Sequence, residues 1–204
     1  MTILKDLDPN KVFFTSDTHF GHRAIIDYCK RPFSSVDEMN EKLITNWNEV
    51  VSDTCTVFHL GDFAFGGLPF WEDIRSRLKG RIILIKGNHD GRQNLQNINR
   101  LQELFDVIEL EMVIHLDGHS IILNHYPLLC YSGSYNHSVW AIHGHVHQSP
   151  HSNGLDISRL VHRFPTQYDV GVDNNNYHPI SYNQLKDIIN KQIKEYEDKY
   201  RTYR

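Results

Sequence analysis

Cysteine is scarce in this chain and poorly spaced for either disulfide or metal chemistry. Cys29, Cys55 and Cys130 are odd in number, far apart and never in a C-x-x-C pair. Neither a disulfide framework nor a thiolate zinc site is indicated, and a reducing compartment is the simplest home. Long apolar runs are missing as well. No segment approaches the ~18–20 residues of a membrane span, and the opening MTILKDLDPNK is charged where a leader would be apolar. A cytoplasmic protein with no membrane partner is expected. An excess of positive charge is also absent: 21 Lys+Arg against 25 Asp+Glu give a formal −4. That balance argues against a chain built to coat nucleic acid or an anionic membrane.

What the chain does have is apolar bulk and histidine. Hydrophobic residues make up 40% and aromatics 11%, enough to fold, and 204 residues suit one domain over 1–204, since cores usually divide only beyond roughly 250–300 residues. Histidine occurs 14 times, and the question is whether those residues are scattered or gathered.

Short β-branched and aromatic runs, VFFTS (12–16), TVFHL (56–60) and RIILIK (81–86), alternate with helical stretches, which predicts β-α-β units. Ser35-x-x-Glu38 is a capping-box pattern opening a helix through Leu43, Ile44, Trp47, Val50 and Val51. In the second half, EMVIHL and HSIILN flank Asp117-Gly118, a dipeptide suited to a type I′ hairpin. VWAIH (139–143) and YDVGV (168–172) predict further strands, and Ser181-x-x-Gln184 opens a last helix. The stretches 125–138 and 148–167, rich in Ser, Asn, His and Tyr, are candidates for a substrate rim.

The chemistry gathers where these strands end. Asp17-Thr18-His19 follows the first run, Gly61-Asp62 the second and Gly87-Asn88-His89-Asp90 the third; His125 follows the hairpin, and His143-Gly144-His145-Val146-His147 ends the next strand. Open α/β sheets place their ligand crevices at the C-terminal ends of strands. Carboxylate, amide and imidazole donors without thiolate suit Mn²⁺, Fe or Zn²⁺, with Ni²⁺ and Co²⁺ as further options. Taken singly, each motif is common turn chemistry. Asp17, His19, Asp62, Asn88, His125, His145 and His147 together are too many for one tetrahedral ion, whereas two divalent ions would use them all.

The ordered set Asp17-x-His19, Gly61-Asp62, Gly87-Asn88-His89-Asp90, His125 and Gly144-His145-x-His147 resembles the calcineurin-like metallophosphoesterase superfamily over roughly residues 11–173. The wording around the motifs (SDTHFGHRAIIDYC, HLGDFAFG, KGNHD, NHYPL, HGHVH, VGVD) is similar to a branch of small, cap-less members from bacteria and their phages. The resemblance implies a four-layer αββα sandwich, two mixed sheets flanked by helices. It implies one ion on Asp17, His19, Asp62 and His147 and another on Asp62, Asn88, His125 and His145, with Asp62 as the bridge. It further implies hydrolysis of phosphate mono- or diesters by in-line attack of a hydroxide held between the ions.

In that scheme His89 is the non-ligand catalytic histidine, and Asp90 beside it is expected to fix the His89 tautomer. His22, Arg23 and Asn88 are the expected substrate contacts. Expected partners are a small phosphorylated molecule, a nucleotide or a nucleic-acid end; Phe63, Phe65, Tyr126, Tyr131 and Tyr135 lie near enough in sequence to stack on a base, although most of them are expected to pack against the loops they sit in. No Arg or His follows Gly61-Asp62 within FAFGG, which makes protein phosphatase or repair nuclease activity less expected. A non-catalytic metal-binding scaffold and a metal-dependent nuclease are the alternatives. His59, in an apolar strand, is expected to be a supporting or core residue; His143, two residues before His145, is placed to face the site but expected to support rather than ligate; and His115 and His119 are expected on the surface.

Overall fold

The computed structural model describes residues 2–4, 6–90, 98–148 and 163–201. The elements run β1 (Thr2–Leu4), β2 (Val12–Thr15), α1 (Arg23–Tyr28), α2 (Val36–Val50), β3 (Thr56–His59), α3 (Leu68–Arg77), β4 (Arg81–Ile85) and α4 (Ile98–Leu104). They continue as β5 (Val107–Glu109), β6 (Glu111–Leu116), β7 (His119–Asn124), β8 (Val139–His143), β9 (Gln167–Asp169), β10 (Ile180–Ser181) and α5 (Tyr182–Arg201).

Local chemistry sets several boundaries. The Ser35 hydroxyl caps α2 by accepting from Glu38 N (3.1 Å), while the Glu38 carboxylate reaches back to Ser34 N (2.7 Å), one residue beyond the expected box. At α5 the box is reciprocal: Gln184 N donates to Ser181 Oγ (3.2 Å) and Ser181 N to Gln184 Oε1 (2.9 Å). Asp117 and Gly118 take φ 49° and 80°, the two positive values that a type I′ turn between antiparallel strands requires. His115 is exposed, but His119, expected on the surface, is half-buried. Its ring lies 4.0 Å from that of Trp140, and Nδ1 meets the Tyr182 hydroxyl at 2.9 Å.

Two mixed five-stranded sheets result, ordered β1-β6-β7-β8-β9 and β10-β2-β3-β4-β5. In the second, β2, β3, β4 and β5 are parallel, and only β10 runs against them. Alternate residues of each strand face opposite ways. Phe14, Phe58, Ile83 and Ile85 therefore join Met112, Ile121, Leu123 and Trp140 in a core between the sheets, with Tyr182, Leu185 and Ile189 of α5 packed into it. Phe13, Val57, Ile82 and Leu84 face the other way, against Ile25, Leu43, Trp47, Trp71 and Leu101 of α1 to α4. These are the two mixed sheets flanked by helices that the resemblance implies. Among the described residues no helix is long and apolar enough to cross a membrane.

The sheets are tied together where β2 and β9 end. Ser16 bridges to Gly171, Val172 N donates to Ser16 O (3.0 Å), Asp17 N to Gly61 O (2.9 Å) and Gly144 N to His125 O (3.0 Å). The loops leaving β2, β3, β4, β7 and β8 thereby converge on one edge. The rim expected over 148–167 lies largely outside the described residues.

Candidate functional site

The converging loops bend sharply. Asp17 (φ 56°), His19 (50°), Asp62 (55°), His145 (71°) and His147 (47°) all occupy the left-handed region. Non-glycine residues are uncommon there, and such outliers gather at functional sites where surrounding structure holds them. Two glycines make the approach possible. A Cβ on Gly87 would collide with the Asp62 carboxylate, and one on Gly144 with Ser16 Oγ and the Asp17 carboxylate. The glycines of the G-N-H and G-H-x-H motifs are therefore steric requirements beside the donors that follow them.

Among the described residues three groups of donor atoms lie within 4.8 Å of one another: Asp17 with His19 and His147, Asp62 with His125 and His145, and, behind the first, Cys29 with His147 and Asp173. The first two meet at Asp62 Oδ2, which lies 3.6 Å from His19 Nε2, 3.7 Å from His125 Nε2 and 3.9 Å from His89 Nε2. His147 Nε2 lies 3.7 Å from Asp17 Oδ1, and Asn88 Oδ1 3.0 Å from His125 Nε2. Donor-to-cation lengths of about 2.0–2.2 Å put neighbouring donors roughly 3–3.6 Å apart; the Asn88–His125 (3.0 Å) and His19–Asp62 (3.6 Å) pairs fall in that span, and the His125–Asp62 and His147–Asp17 pairs (3.7 Å) lie just beyond it. Asp17 Oδ1 and His19 Nε2 are buried without a hydrogen-bond partner. Such orphaned atoms are rare and call for an occupant; paired carboxylate and imidazole donors fit divalent cations.

The outer nitrogens of the imidazoles are committed elsewhere, which turns Nε2 toward the centre. His125 Nδ1 donates to Leu60 O (2.7 Å). His147 Nδ1 donates to Asp173 Oδ2 (2.8 Å), and Asp173 is held by Arg31 through Nε (2.9 Å) and Nη2 (2.8 Å). Arg31 also donates to the carbonyls of Asp17 (2.7 Å) and Thr18 (3.0 Å), so this buried guanidinium fixes the Asp17 turn and, through Asp173, His147 together. His19 Nδ1 lies 3.3 Å from His22 Nδ1.

The electrostatics follow from burial and these partners. Burial pushes His19 well below its ordinary value, helped by His147 and Arg31, so its imidazole is neutral. Burial raises the Asp62 carboxyl, with Asp17 adding to the effect and His125 opposing it. For His147, burial disfavours the charge, but Asp17 and Asp173 outweigh it and hold the group well above its ordinary value. Cation uptake there would release a proton. Burial also raises Asp173, yet Arg31 and His147 overcome it and hold the carboxyl at about 2.

The other expected site residues divide. His89 sits at the mouth, half-exposed, its ring 5.6 Å from that of His19. Asp90 does not reach the His89 ring: its carboxylate is buried and accepts from Asp62 N (2.8 Å), Gly87 N (2.7 Å) and Phe63 N (2.9 Å). It therefore ties the loops after β3 and β4 together, because three convergent amides satisfy a buried carboxylate better than one imidazole. Arg23 points away into an exposed pair with Asp27, 56% and 73% exposed. His22 stays beside His19, and its value is lowered by burial and then by His89. His59 gives Nε2–H to the Thr18 hydroxyl (2.9 Å), which donates to Phe63 O (2.8 Å). His143 is buried, with Nδ1 3.2 Å from Gly144 O. Burial holds the two at about 3 and about 4 respectively.

Among the aromatics, Phe63 is core, packed on Trp71 and Phe105. Phe65 faces His19, His22 and His89. Tyr126 covers His125 and His145. Tyr131 bonds Thr166 through its hydroxyl (2.6 Å), and Tyr135 is 88% exposed. The sequence assigned no role to Arg31, to Asp173 of VGVD or to Asp169, whose carboxylate accepts from Gln148 N (2.9 Å) and Gly171 N (2.8 Å) and is pushed by burial to about 7. Asp173 had a signal, an Asp beyond a strand end like the others. Arg31 had none.

A family profile described as "Calcineurin-like phosphoesterase superfamily domain" matches residues 11–160. The chain is similar to an uncharacterized protein MJ1445 of Methanocaldococcus jannaschii, 37% identical over 183 residues, covering 89% of this chain and 92% of the relative. It is similar to the Gene 66 protein of Mycobacterium phage L5, 28% identical over 191 residues, covering 80% of this chain and 87% of that one. Among solved structures it resembles the protein of unknown function AQ665 from Aquifex aeolicus, with a TM-score of 0.65 and 28% identity over 87% of this chain and 98% of that one.

Proposed function

The chain belongs to the calcineurin-like phosphoesterase superfamily, which points to metal-dependent hydrolysis of phosphoesters, and we propose that it cleaves mono- or diester bonds of a small phosphorylated molecule, a nucleotide or a nucleic-acid end. The observation that carries this reading is the convergence on Asp62 Oδ2 of imidazoles from both halves of the site, beside the orphaned Asp17 Oδ1 and His19 Nε2.

Asp17, His19, Asp62 and His147 would hold one divalent cation, and Asp62, Asn88, His125 and His145 the other. The oxygen and nitrogen donor set favours Mn²⁺, with Fe, Zn²⁺, Ni²⁺ or Co²⁺ as alternatives. When bound, such a pair supplies a nucleophile at neutral pH and offsets phosphoryl charge. The protein's own part is to keep the Nε2 lone pairs inward, which the Leu60 carbonyl and Asp173 do. It must also hold a proton near the departing oxygen, which suits His89 at the mouth. Asp90 positions Asp62 through the backbone. Asp27 neutralises Arg23, which takes no part.

The test is hydrolysis of p-nitrophenyl phosphate and bis-p-nitrophenyl phosphate with each cation, with and without chelator. Chelator-sensitive turnover with Mn²⁺ is expected. No activity with any cation would overturn the reading. His89→Asn should retain the cations, measured by elemental analysis, and lose about 10²–10⁴-fold in kcat.

A further inference from the structure

Four rings meet on the Asp17 side of the centre. His19, His22 and His89 form a triangle with centroid separations of 5.3 Å (His19–His22), 5.6 Å (His19–His89) and 6.4 Å (His22–His89). Phe65 backs all three, 5.5 Å from His19, 4.9 Å from His89 and stacked on His22 at 3.8 Å and 16°. His22 occupies the N-cap position of α1 but makes no side-chain cap bond. Its imidazole turns instead toward His19, and the Phe65 stack fixes the plane of the ring.

The protons on this pair can be placed by elimination. His19 Nε2 is buried, has no hydrogen-bond partner and lies 3.6 Å from Asp62 Oδ2, so as a cation donor it must present a lone pair there. The single proton of neutral His19 is then on Nδ1, where it is given to His22 Nδ1 at 3.3 Å. With Nδ1 accepting, neutral His22 carries its own proton on Nε2. That N–H has no role in capping, and His22 is only half-buried. The rings of His22 and His89, with centroids 6.4 Å apart, are near enough to flank one phosphoryl group.

We propose that His22 is a second hydrogen-bond donor to the substrate's phosphoryl group, its Nε2–H oriented by His19 and its ring held by Phe65. This deepens the phosphoesterase reading and rests on it. His22 differs from His89 in being wired to a cation ligand, so the same side chain positions His19 and meets the substrate. A neutral donor suits that place, because it binds phosphoryl oxygen without repelling the cations beside it.

Two substitutions separate the roles. In His22→Asn the side-chain oxygen can still accept from His19 Nδ1–H, while the outer donor is gone. In His22→Phe both are gone and the stack on Phe65 is kept. Calorimetry on wild-type and variant proteins would measure Mn²⁺ binding first and then inorganic phosphate binding to the Mn²⁺-loaded form. Neither measurement needs turnover. His22→Asn should bind Mn²⁺ within about twofold of wild type but phosphate about tenfold or more weakly, since hydrogen bonds to charged groups are among the stronger ones. His22→Phe should weaken both, and KM should rise more than kcat falls in the asparagine variant.

Phosphate affinity in His22→Asn equal to wild type would overturn the proposal. So would equal loss of Mn²⁺ affinity in the two variants, which would make His22 a positioning residue alone. Circular dichroism checks folding, and if the phenylalanine variant fails to fold, the phosphate affinity of His22→Asn decides. Wild-type protein that binds Mn²⁺ and phosphate yet cleaves no ester overturns the phosphoesterase reading alone, whereas wild-type protein that takes up no Mn²⁺ overturns both.

Discussion

The two halves of the site carry the same donor chemistry but are braced differently. The Asp17–His19–His147 half leans on a buried ion pair: Arg31 grips Asp173, which fixes His147, while Arg31 also holds the Asp17 turn. The Asp62–His125–His145 half leans on main chain: the Leu60 carbonyl fixes His125, and Asp90 gathers the amides around Asp62. The first brace joins residues 142 positions apart; the second joins Leu60 and His125 across the two sheets, 65 positions apart, and Asp62 and Asp90 at the ends of adjacent β3 and β4, 28 positions apart. A charged brace holds geometry strongly but is costly to break, because each partner left alone is a buried charge. A backbone brace fails more gently.

The largest expected effect erases the contrast. As the proposed bridge, Asp62 would serve both halves, so Asp62→Asn should lower cation content at both and reduce turnover well beyond the ~100-fold that loss of an outer supporting group produces. Elemental analysis checks the first expectation and steady-state kinetics the second. Full cation content would remove Asp62 from the bridge.

Asp173→Asn should strike the first half alone. With Arg31 buried and unpaired, stability should fall by about 3–5 kcal/mol. One of two cations should bind about 10–100-fold more weakly, leaving the other near wild type. The pH dependence gives a separate check. Asp173 is held at about 2, below an ordinary carboxyl near 4, so its stabilising contribution is present above about pH 4 and is lost as pH falls through about 2. Urea midpoints of chelator-treated protein should drop along that acid limb in wild type and less steeply in Asp173→Asn.

The second half should respond more weakly and with the opposite pH sign. Burial raises Asp90 to about 6, against the three amides that hydrogen-bond it. Its contribution is therefore fully present below about pH 4 and is lost as pH rises through about 6. Asp90→Asn keeps one acceptor oxygen and leaves an amide unpaired, at a cost of about 1–3 kcal/mol. The same urea series should lose its slope between about pH 4 and 6. Identical slopes in wild type and variant would show that the Asp90 carboxyl is not the group titrating there.

This contrast also explains what the sequence could disclose. The gathering of Asp17, His19, Asp62, Asn88, His125, His145 and His147 at one edge was legible because each lies in a segment leaving a strand end, and β2, β3, β4, β7 and β8 announced themselves by β-branched runs. The backbone brace was half legible: Asp90 was visible as a residue of interest, but its direction was not, since an Asp beside a His has no marked preference for the imidazole. The ionic brace was illegible at Arg31, an unremarkable residue after α1 whose partner is set by how the sheets stack. The shorter strands β1, β5 and β10 carry too few residues for periodicity to register. His119 is less exposed than a hairpin flank usually is, because packing against Trp140 and Tyr182 half-buries it.

The smallest effect concerns Arg23, where sequence proximity and geometry disagree most plainly. A basic residue at the start of a helix, directly after the Asp17-x-His19 turn, is well placed on paper to meet a phosphate. In the structure its guanidinium turns to Asp27 one helical turn on, at 3.3 Å, with both side chains more than half exposed. Exposed pairs of this kind contribute under about 1 kcal/mol, and neither half of the site uses Arg23 as a brace. Arg23→Ala should therefore leave stability within about 0.5 kcal/mol and should leave KM within about twofold, far from the tenfold loss that a charged hydrogen bond to substrate would represent. A KM rise of that larger size, with unfolding unchanged, would mean that Arg23 abandons Asp27 for the substrate.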